Sequence, residues 1–260
     1  MLLIYFMIFV FGLIFGSFLN AVIYRTEEKM TLSGRSICPK CKHQIAWYDL
    51  VPLFSWLILR GKCRYCKNRI SLQYPLVELS TGLIFLLLAL QFENQNFSLV
   101  NLFFWIFFSF CLIIIFVYDL KHMIIPDEII YPAMILSLVY IIVLGILSGD
   151  ITVSLKHLVS GIGAGGFFYF LAEISQGKWM GGGDIKLAGF IGFALGGVLS
   201  VAALYTGFIL GAFFGLGLIV LRKKEFSSKI PFAPFMISGA FLAFFLSEQI
   251  NNFYASIMLL

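Results

Sequence analysis

Two aspartates stand where a strongly apolar chain of 260 residues should carry no charge. Asp119 closes the run Phe116-Val117-Tyr118, and Asp184 follows Met180-Gly181-Gly182-Gly183 at the mouth of another apolar stretch. A carboxylate at membrane depth is expensive, so it faces protein or water and usually has a task. Two of them at the ends of separate spans can converge on one water molecule, and close carboxylates that share a proton are the minimum equipment for peptide hydrolysis. The other readings of the pair are an ion or proton relay, or buried pairing with Lys121 or Lys186. Asp127 and Glu128 need no such explanation. They follow Pro126, which opens a helix, and negative charge in a first turn offsets the helix dipole. Asp119 lies at the C-terminal end of its span, where the dipole disfavours it. The three glycines before Asp184 are expected to allow unusual torsions and the close approach of a peptide strand. Glu78 and Glu173 also lie near span ends, so position alone does not choose among these readings. Glu173 is read as snorkelling to the interface.

The second group is sulfur. Cys38-Pro39-Lys40-Cys41 and Cys63-Arg64-Tyr65-Cys66 are two C-x-x-C knuckles separated by 21 residues. Each turn presents two thiolates, and two turns complete a tetrahedral four-sulfur site. Zinc favours this set, and its closed shell makes the site structural rather than hydrolytic. The same ligands would hold iron, and the alternatives to metal are a redox dithiol or four unrelated thiols. Lys40, Lys42, Arg64 and Lys67 would offset the charge of the site, and His43 is redundant beside four thiolates. Cys111 is read as a packed apolar residue. His122 and His157 are isolated and read as interfacial.

Composition says what must position these groups. The chain is 61% hydrophobic and 12% charged, against about 25% charged in ordinary globular proteins. Its apolar residues come in blocks near the ~20 residues a spanning helix needs. The blocks are 2–24, 76–92, 99–118, 129–147, 158–175, 185–197, 199–221 and 232–246. The predicted fold is therefore an all-α polytopic membrane protein of about eight transmembrane helices. The sixth block is short, and its border with the seventh rests on a tight turn at Gly196-Gly197. Seven spans follow if that stretch is re-entrant.

With eight spans, 17 of the 18 lysines and arginines fall on one side, Lys156 being the exception. Ten of them lie between Arg25 and Pro75, and Arg222, Lys223, Lys224 and Lys229 follow the seventh block. The positive-inside rule makes that side cytoplasmic, with both termini extracytoplasmic and the cysteine loop and both aspartates at the cytoplasmic edge. The first block lacks a basic n-region, which argues for a retained helix rather than a cleaved signal. The net charge of +5 then reflects topology and anionic lipid, not nucleic-acid binding. Three regions result: a first transmembrane helix (1–24), a cytoplasmic four-cysteine loop (25–75) and a helical bundle carrying both aspartates (76–260). The loop is too small for a large core and needs its metal staple. No repeat of 20–50 residues is evident. Gly161-Ile162-Gly163-Ala164-Gly165-Gly166 fits a dinucleotide pattern only formally. It opens a membrane helix, so small-xxx-small helix packing is the better reading, as for Gly211/Gly215.

Taken together the residues resemble those of the type IV prepilin peptidases. The resemblance runs through Gly16-Ser17-Phe18-Leu19-Asn20, Ile23-Tyr24-Arg25, both knuckles and Arg60-Gly61-Lys62-Cys63. It continues through Tyr74-Pro75-Leu76-Val77-Glu78-Leu79, Asp119 with Ile125-Pro126-Asp127, and the G-x-G-D motif at Gly181 and Gly183-Asp184. The resemblance implies an intramembrane aspartic endopeptidase of a bacterial inner membrane, with Asp119 and Asp184 as the catalytic pair and no metal in proteolysis. Its expected substrates are prepilins or pseudopilins with short basic leaders, cut after a glycine on the cytoplasmic face. It also implies N-methylation of the new N-terminus with S-adenosylmethionine, for which Asn20, Arg25, Gly61 and Glu78 are candidates. A cleavage-only peptidase is the nearer alternative. A proton-coupled carrier is the remote one, and the near absence of charge in the middle of the spans counts against it.

Overall fold

The structure is a computed structural model, and it describes residues 2–95, 98–221 and 230–258. Arg222, Lys223, Lys224 and Lys229, counted above with the basic side, lie outside the described residues. Every apolar block is helical. The helices are α1 (Leu2–Glu27), α2 (Phe54–Ile58), α3 (Gln73–Gln95), α4 (Leu99–His122), α5 (Asp127–Ser148), α6 (Ile151–Ile174), α7 (Gly182–Leu195), α8 (Gly197–Val220), α9 (Ala233–Phe245) and α10 (Ser247–Met258). The described residues contain two isolated β-bridges and no longer strand.

Among the described residues, six helices are long and apolar enough to cross a membrane: α1, α3, α4, α5, α6 and α8. A seventh crossing results if α9 and α10, bent by 77° at their junction, form one span. The count of eight is therefore approximate. The sixth block is indeed a helix, but α7 has only 14 residues, about 21 Å at 1.5 Å per residue against a hydrocarbon core of about 30 Å.

The chain divides into two compact units, Met1–Ile114 and Ile115–Leu260. In the first, α1 and α3 run antiparallel at very close range. Tyr5 hydrogen-bonds Glu93 at one end and Asn20 Nδ2 donates to the Tyr74 carbonyl at the other. Between them Gly12 faces Gly82 and Gly16 faces Glu78; a Cβ at Gly16 would lie 2.6 Å from the Glu78 Cα. Glycine at these sites lets the backbones touch, which is how membrane helices gain dispersion energy without a hydrophobic drive between them.

In the second unit α7 is the central helix, buried without a break from Leu187 to Leu195. It lies antiparallel to α6: Gly161 packs on Gly192 and Phe193, and Gly165 on Gly189. The glycine run of α6 is thus a packing surface, as its small-xxx-small pattern suggests. The turn from α7 to α8 has Gly196 and Gly197 at φ +65° and +48°, a region that favours glycine. His157 is not an interfacial residue as its isolation in sequence suggests. Its ring fills the space beside Gly196, and its Nδ1 lies 2.9 Å from the Phe193 carbonyl. A carbonyl only accepts, so Nδ1 carries the proton. The Ser160 hydroxyl accepts from the Gly197 N–H at 2.7 Å. One turn of α6 thereby fixes where α7 ends, and so where Asp184 at its other end must lie.

Candidate active site and candidate metal centre

Asp184 is the third residue of α7, and its Oδ2 accepts from the Gly181 N–H at 3.3 Å. This is half of a capping box, because glycine has no side chain to return the bond. None of the three preceding glycines has a positive φ, so the expected unusual torsions are absent. What the run provides is room. A Cβ on Gly183 would lie 3.1 Å from the Ile125 Cβ, whereas one on Gly182 would meet nothing within 4 Å. Gly183 therefore lets α7 start against the segment that follows α4.

Asp119 lies one turn before the end of α4 and is 5% exposed. The Ala233 N–H, at the start of α9, points at its carboxylate, and the charge of Asp184 acts on it as well. The first amides of a helix have no intrahelical partner and carry the positive end of its dipole. The N-terminus of α9 thus supplies the favourable field that the C-terminal end of α4 denies. Asp119 Oδ2 is buried without a hydrogen-bond partner among the described residues. Leaving a buried charged acceptor unsatisfied costs upwards of about 1–3 kcal/mol, and such exceptions call for a functional account.

Lys186 does not pair with Asp184. Its Nζ lies 2.6 Å from Asp127 Oδ1 and 4.5 Å from the centre of the Tyr131 ring. Asp127 therefore ties α5 to α7 in addition to sitting in the first turn of α5. The Asp119 oxygen without a donor and the α9 amide could not be found by motif, because both depend on elements more than 40 residues away in sequence.

The four cysteines of the first unit come together, with all four sulfurs within 4.8 Å of one another. Four thiolates around zinc at about 2.3 Å would be separated by about 3.8 Å, and Cys38 and Cys66 stand at 3.9 Å. The donor set and its size fit a metal ion. The two knuckles are copies of one backbone. Cys38 N–H donates to His43 O as Cys63 N–H does to Asn68 O, and the amides of Lys42 and Lys67 return to Cys38 O and Cys63 O. Lys42 and Lys67 are both left-handed, and the bridges Ile37–Gln44 and Lys62–Arg69 close the turns. The same turn thus recurs at an interval of 25 residues, a backbone repeat that residue identities alone do not make evident. At Cys41 the His43 backbone favours the thiolate, but desolvation and the neighbouring sulfurs outweigh it and push the thiol up to about 11. At Cys66 the Asn68 amide dominates and brings it down to about 7. Four thiolates this close need a cation between them.

The remaining candidates have local partners. Glu78, 7% exposed, accepts from the Leu53 N–H at 2.8 Å and from the Ser17 hydroxyl. Asn20, 2% exposed, bonds Tyr74 and Gln73. Arg25 holds the carbonyls of Leu32, Gly34 and Arg35. Gly61, at φ +65°, lies under the Trp56 ring. Asn20 ties α1 to the start of α3, Glu78 ties the cysteine loop to α3, Arg25 ties the loop to the end of α1, and Gly61 packs within the loop.

Residues 10–92 match the Bacterial Peptidase A24 N-terminal domain, and residues 106–220 match the Type IV leader peptidase family. Among curated relatives, a prepilin leader peptidase/N-methyltransferase of Bacillus subtilis (strain 168) is 34% identical over 256 residues, covering 97% of this chain and 98% of its own. One from Aeromonas salmonicida (strain A449) is 32% identical over 284 residues, covering 97% and 94%. One from Vibrio cholerae is 38% identical over 198 residues, covering 71% and 75%. No solved structure matches the chain.

Proposed function

Because the chain belongs to the type IV leader peptidase family, we propose that Asp119 and Asp184 are its catalytic pair. Its activities are the removal of prepilin leaders and N-methylation. The observation that carries the pair is the buried Asp119 Oδ2, left without a donor while Asp184 acts on the same carboxylate. A water or a scissile carbonyl between the two groups would satisfy it.

Asp184, bonded to the Gly181 N–H at the start of α7, takes the role of the carboxylate that withdraws a proton from water. Asp119, enclosed at the end of α4, takes the role of the acid that donates to the scissile carbonyl. The two exchange roles as the departing amine is protonated. No metal ion enters these steps. The substrate is a prepilin or pseudopilin, cut between its basic leader and its apolar helix. With α7 counted as a crossing, the charge pattern of the loops supports an inner-membrane orientation with the cysteine loop and both aspartates on the cytoplasmic side.

The four cysteines hold zinc as a structural ion, a reading supported by four sulfurs that all lie within 4.8 Å of one another. Of the regions 1–24, 25–75 and 76–260, the first is a transmembrane helix, the cysteine loop is linked to methylation, and the bundle carries the protease site; Asn20, Arg25, Gly61 and Glu78, drawn from all three, are the residues for methylation or substrate binding. S-adenosylmethionine would supply the methyl group for the new N-terminal amine, which would lose a proton as S-adenosylhomocysteine leaves. The test is incubation of the membrane-embedded protein with a prepilin and S-adenosylmethionine, followed by mass spectrometry of the product N-terminus. Asp119→Asn and Asp184→Asn should each leave the leader attached. Glu78→Gln should lower methylation more than cleavage. Full leader removal by either aspartate variant would overturn the assignment.

A further inference from the structure

The cysteine loop carries an apolar edge that its own metal site does not need. Trp47 is 80% exposed, Phe54 63%, Leu57 62% and Ile58 75%. Trp47 opens a 3-10 turn (Trp47–Leu50), and the other three lie on α2 or beside it. In a water-soluble loop, so many large apolar side chains on one short segment mark an interaction surface.

These side chains are held outward by two anchors. Asp49, whose side chain is 5% exposed, receives a bidentate pair of bonds from Arg64 at 2.6 and 2.8 Å, and Arg64 also covers the Tyr48 ring. Leu53, at φ +61°, donates its N–H to Glu78. Trp56 is turned the other way, donating to the Ile70 carbonyl and covering Gly61. The segment therefore presents one set of side chains and withdraws another.

The Glu78 anchor also fixes depth. The apolar span of α3 runs for 21 residues from Gln73 to Glu93, about 31 Å, so all of it is needed to cross a core of about 30 Å. Glu78 is five residues inside that span, about 7 Å along the helix axis. Leu53, bonded to Glu78, is therefore level with the second turn of the span. Leu76, Leu79 and Leu83 beside it on α3 are exposed in the manner of lipid-facing residues. A depth of ~5–10 Å is where interfacial amphipathic segments bury their apolar face. The charges agree. From Arg25 to Pro75 there are ten lysines and arginines against Glu27, Glu28 and Asp49, a balance suited to anionic headgroups.

We propose that the 47–58 edge of the cysteine loop is seated in the bilayer, with Trp47, Phe54, Leu57 and Ile58 in the headgroup and upper acyl region of the leaflet that holds the N-terminal end of α3. The four-cysteine centre is then carried by a monotopic plate on the membrane, not by a domain standing free in water. A prepilin would meet this plate at the depth where its apolar helix emerges.

The experiment uses the full chain in vesicles of phosphatidylcholine and phosphatidylglycerol, with or without acyl-chain-brominated phosphatidylcholine. Subtracting the emission of Trp47→Phe isolates the Trp47 signal. We expect bromolipid to quench most of it and aqueous acrylamide to leave it nearly untouched. Phe54→Trp, placed in the Trp47→Phe background, should behave alike. Quenching by acrylamide with bromolipid silent would put the edge in water and overturn the proposal. Protection from both would mean that protein covers the edge, and would overturn it equally.

Discussion

Replacing Gly183 by alanine should damage catalysis, and replacing Gly182 should not. Both residues are helical and neither has a positive φ, so backbone strain does not separate them. Space does. The new Cβ at position 183 would lie 3.1, 3.2 and 3.3 Å from three carbons of Ile125, where ordinary contact begins at 3.4 Å, and the one at 182 meets nothing within 4 Å. An overlap of a few tenths of an ångström in a packed interior typically costs about 1–3 kcal/mol. Here it would be relieved by moving the start of α7, which carries Asp184, away from the α4–α5 segment. If half of the cost appears in the transition state, the rate of leader removal falls by roughly 2- to 12-fold, with about 1.4 kcal/mol per factor of ten. The assay is the initial rate of leader removal in proteoliposomes, with thermal stability measured alongside. Ile125→Ala removes two of the three crowded carbons, so the double variant Ile125→Ala/Gly183→Ala should be faster than Gly183→Ala alone. Gly182→Ala should stay within about twofold of the parent, since surface substitutions without such contacts are near neutral. Equal loss in Gly182→Ala and Gly183→Ala, at unchanged stability, would refute the packing argument and point to close approach of the substrate along the whole glycine run.

Asp127→Asn should keep cleavage within a few-fold while Asp119→Asn abolishes it, because the Asp127 carboxylate is engaged by Lys186. Its cost to stability should be about 1 kcal/mol or less, given that the Asp127 side chain is 61% exposed, and a melting curve would read it. Cys63→Ser should lower bound metal in elemental analysis from one ion per chain towards zero, and loosen 25–75 to limited proteolysis. Metal should also leave as pH falls, since thiolates must be deprotonated to bind; retention of the ion in mild acid would count against a four-thiolate site. His157→Ala should destabilise by about 2 kcal/mol or more, combining a lost hydrogen bond with a cavity beside Gly196. His157→Asn, which can still donate to the Phe193 carbonyl, should recover part of that loss in a melting curve.

Residue type and spacing were sufficient for the parts of the site that chemistry constrains locally. A C-x-x-C turn needs only four residues to aim two sulfurs, so both knuckles were legible, as was their union into one centre. A carboxylate at the end of an apolar block announces itself by its cost, so Asp119 and Asp184 stood out without knowledge of the fold. The helical blocks were legible too, because a lipid environment forces backbone hydrogen bonds to close within each segment. Their borders and their fitness to span were less so: α7 proved too short to cross by length alone, and α9 breaks sharply into α10.

Everything that depends on the register between helices was decided by tertiary structure. Where α6 meets α7 is set by glycines that admit a neighbouring backbone, and this register turned His157 from an apparent interfacial residue into the lock on the end of α7. It also assigned Lys186 to Asp127 and brought the amide of Ala233 to Asp119. No local pattern encodes these pairings, since each partner lies dozens of residues away and is chosen by shape. The sequence by itself named the reactive groups, because charge and thiol chemistry in an apolar chain are visible one residue at a time. Only the packed helices decided which of those groups face each other, because dispersion between close backbones, not residue identity, sets how the helices slide.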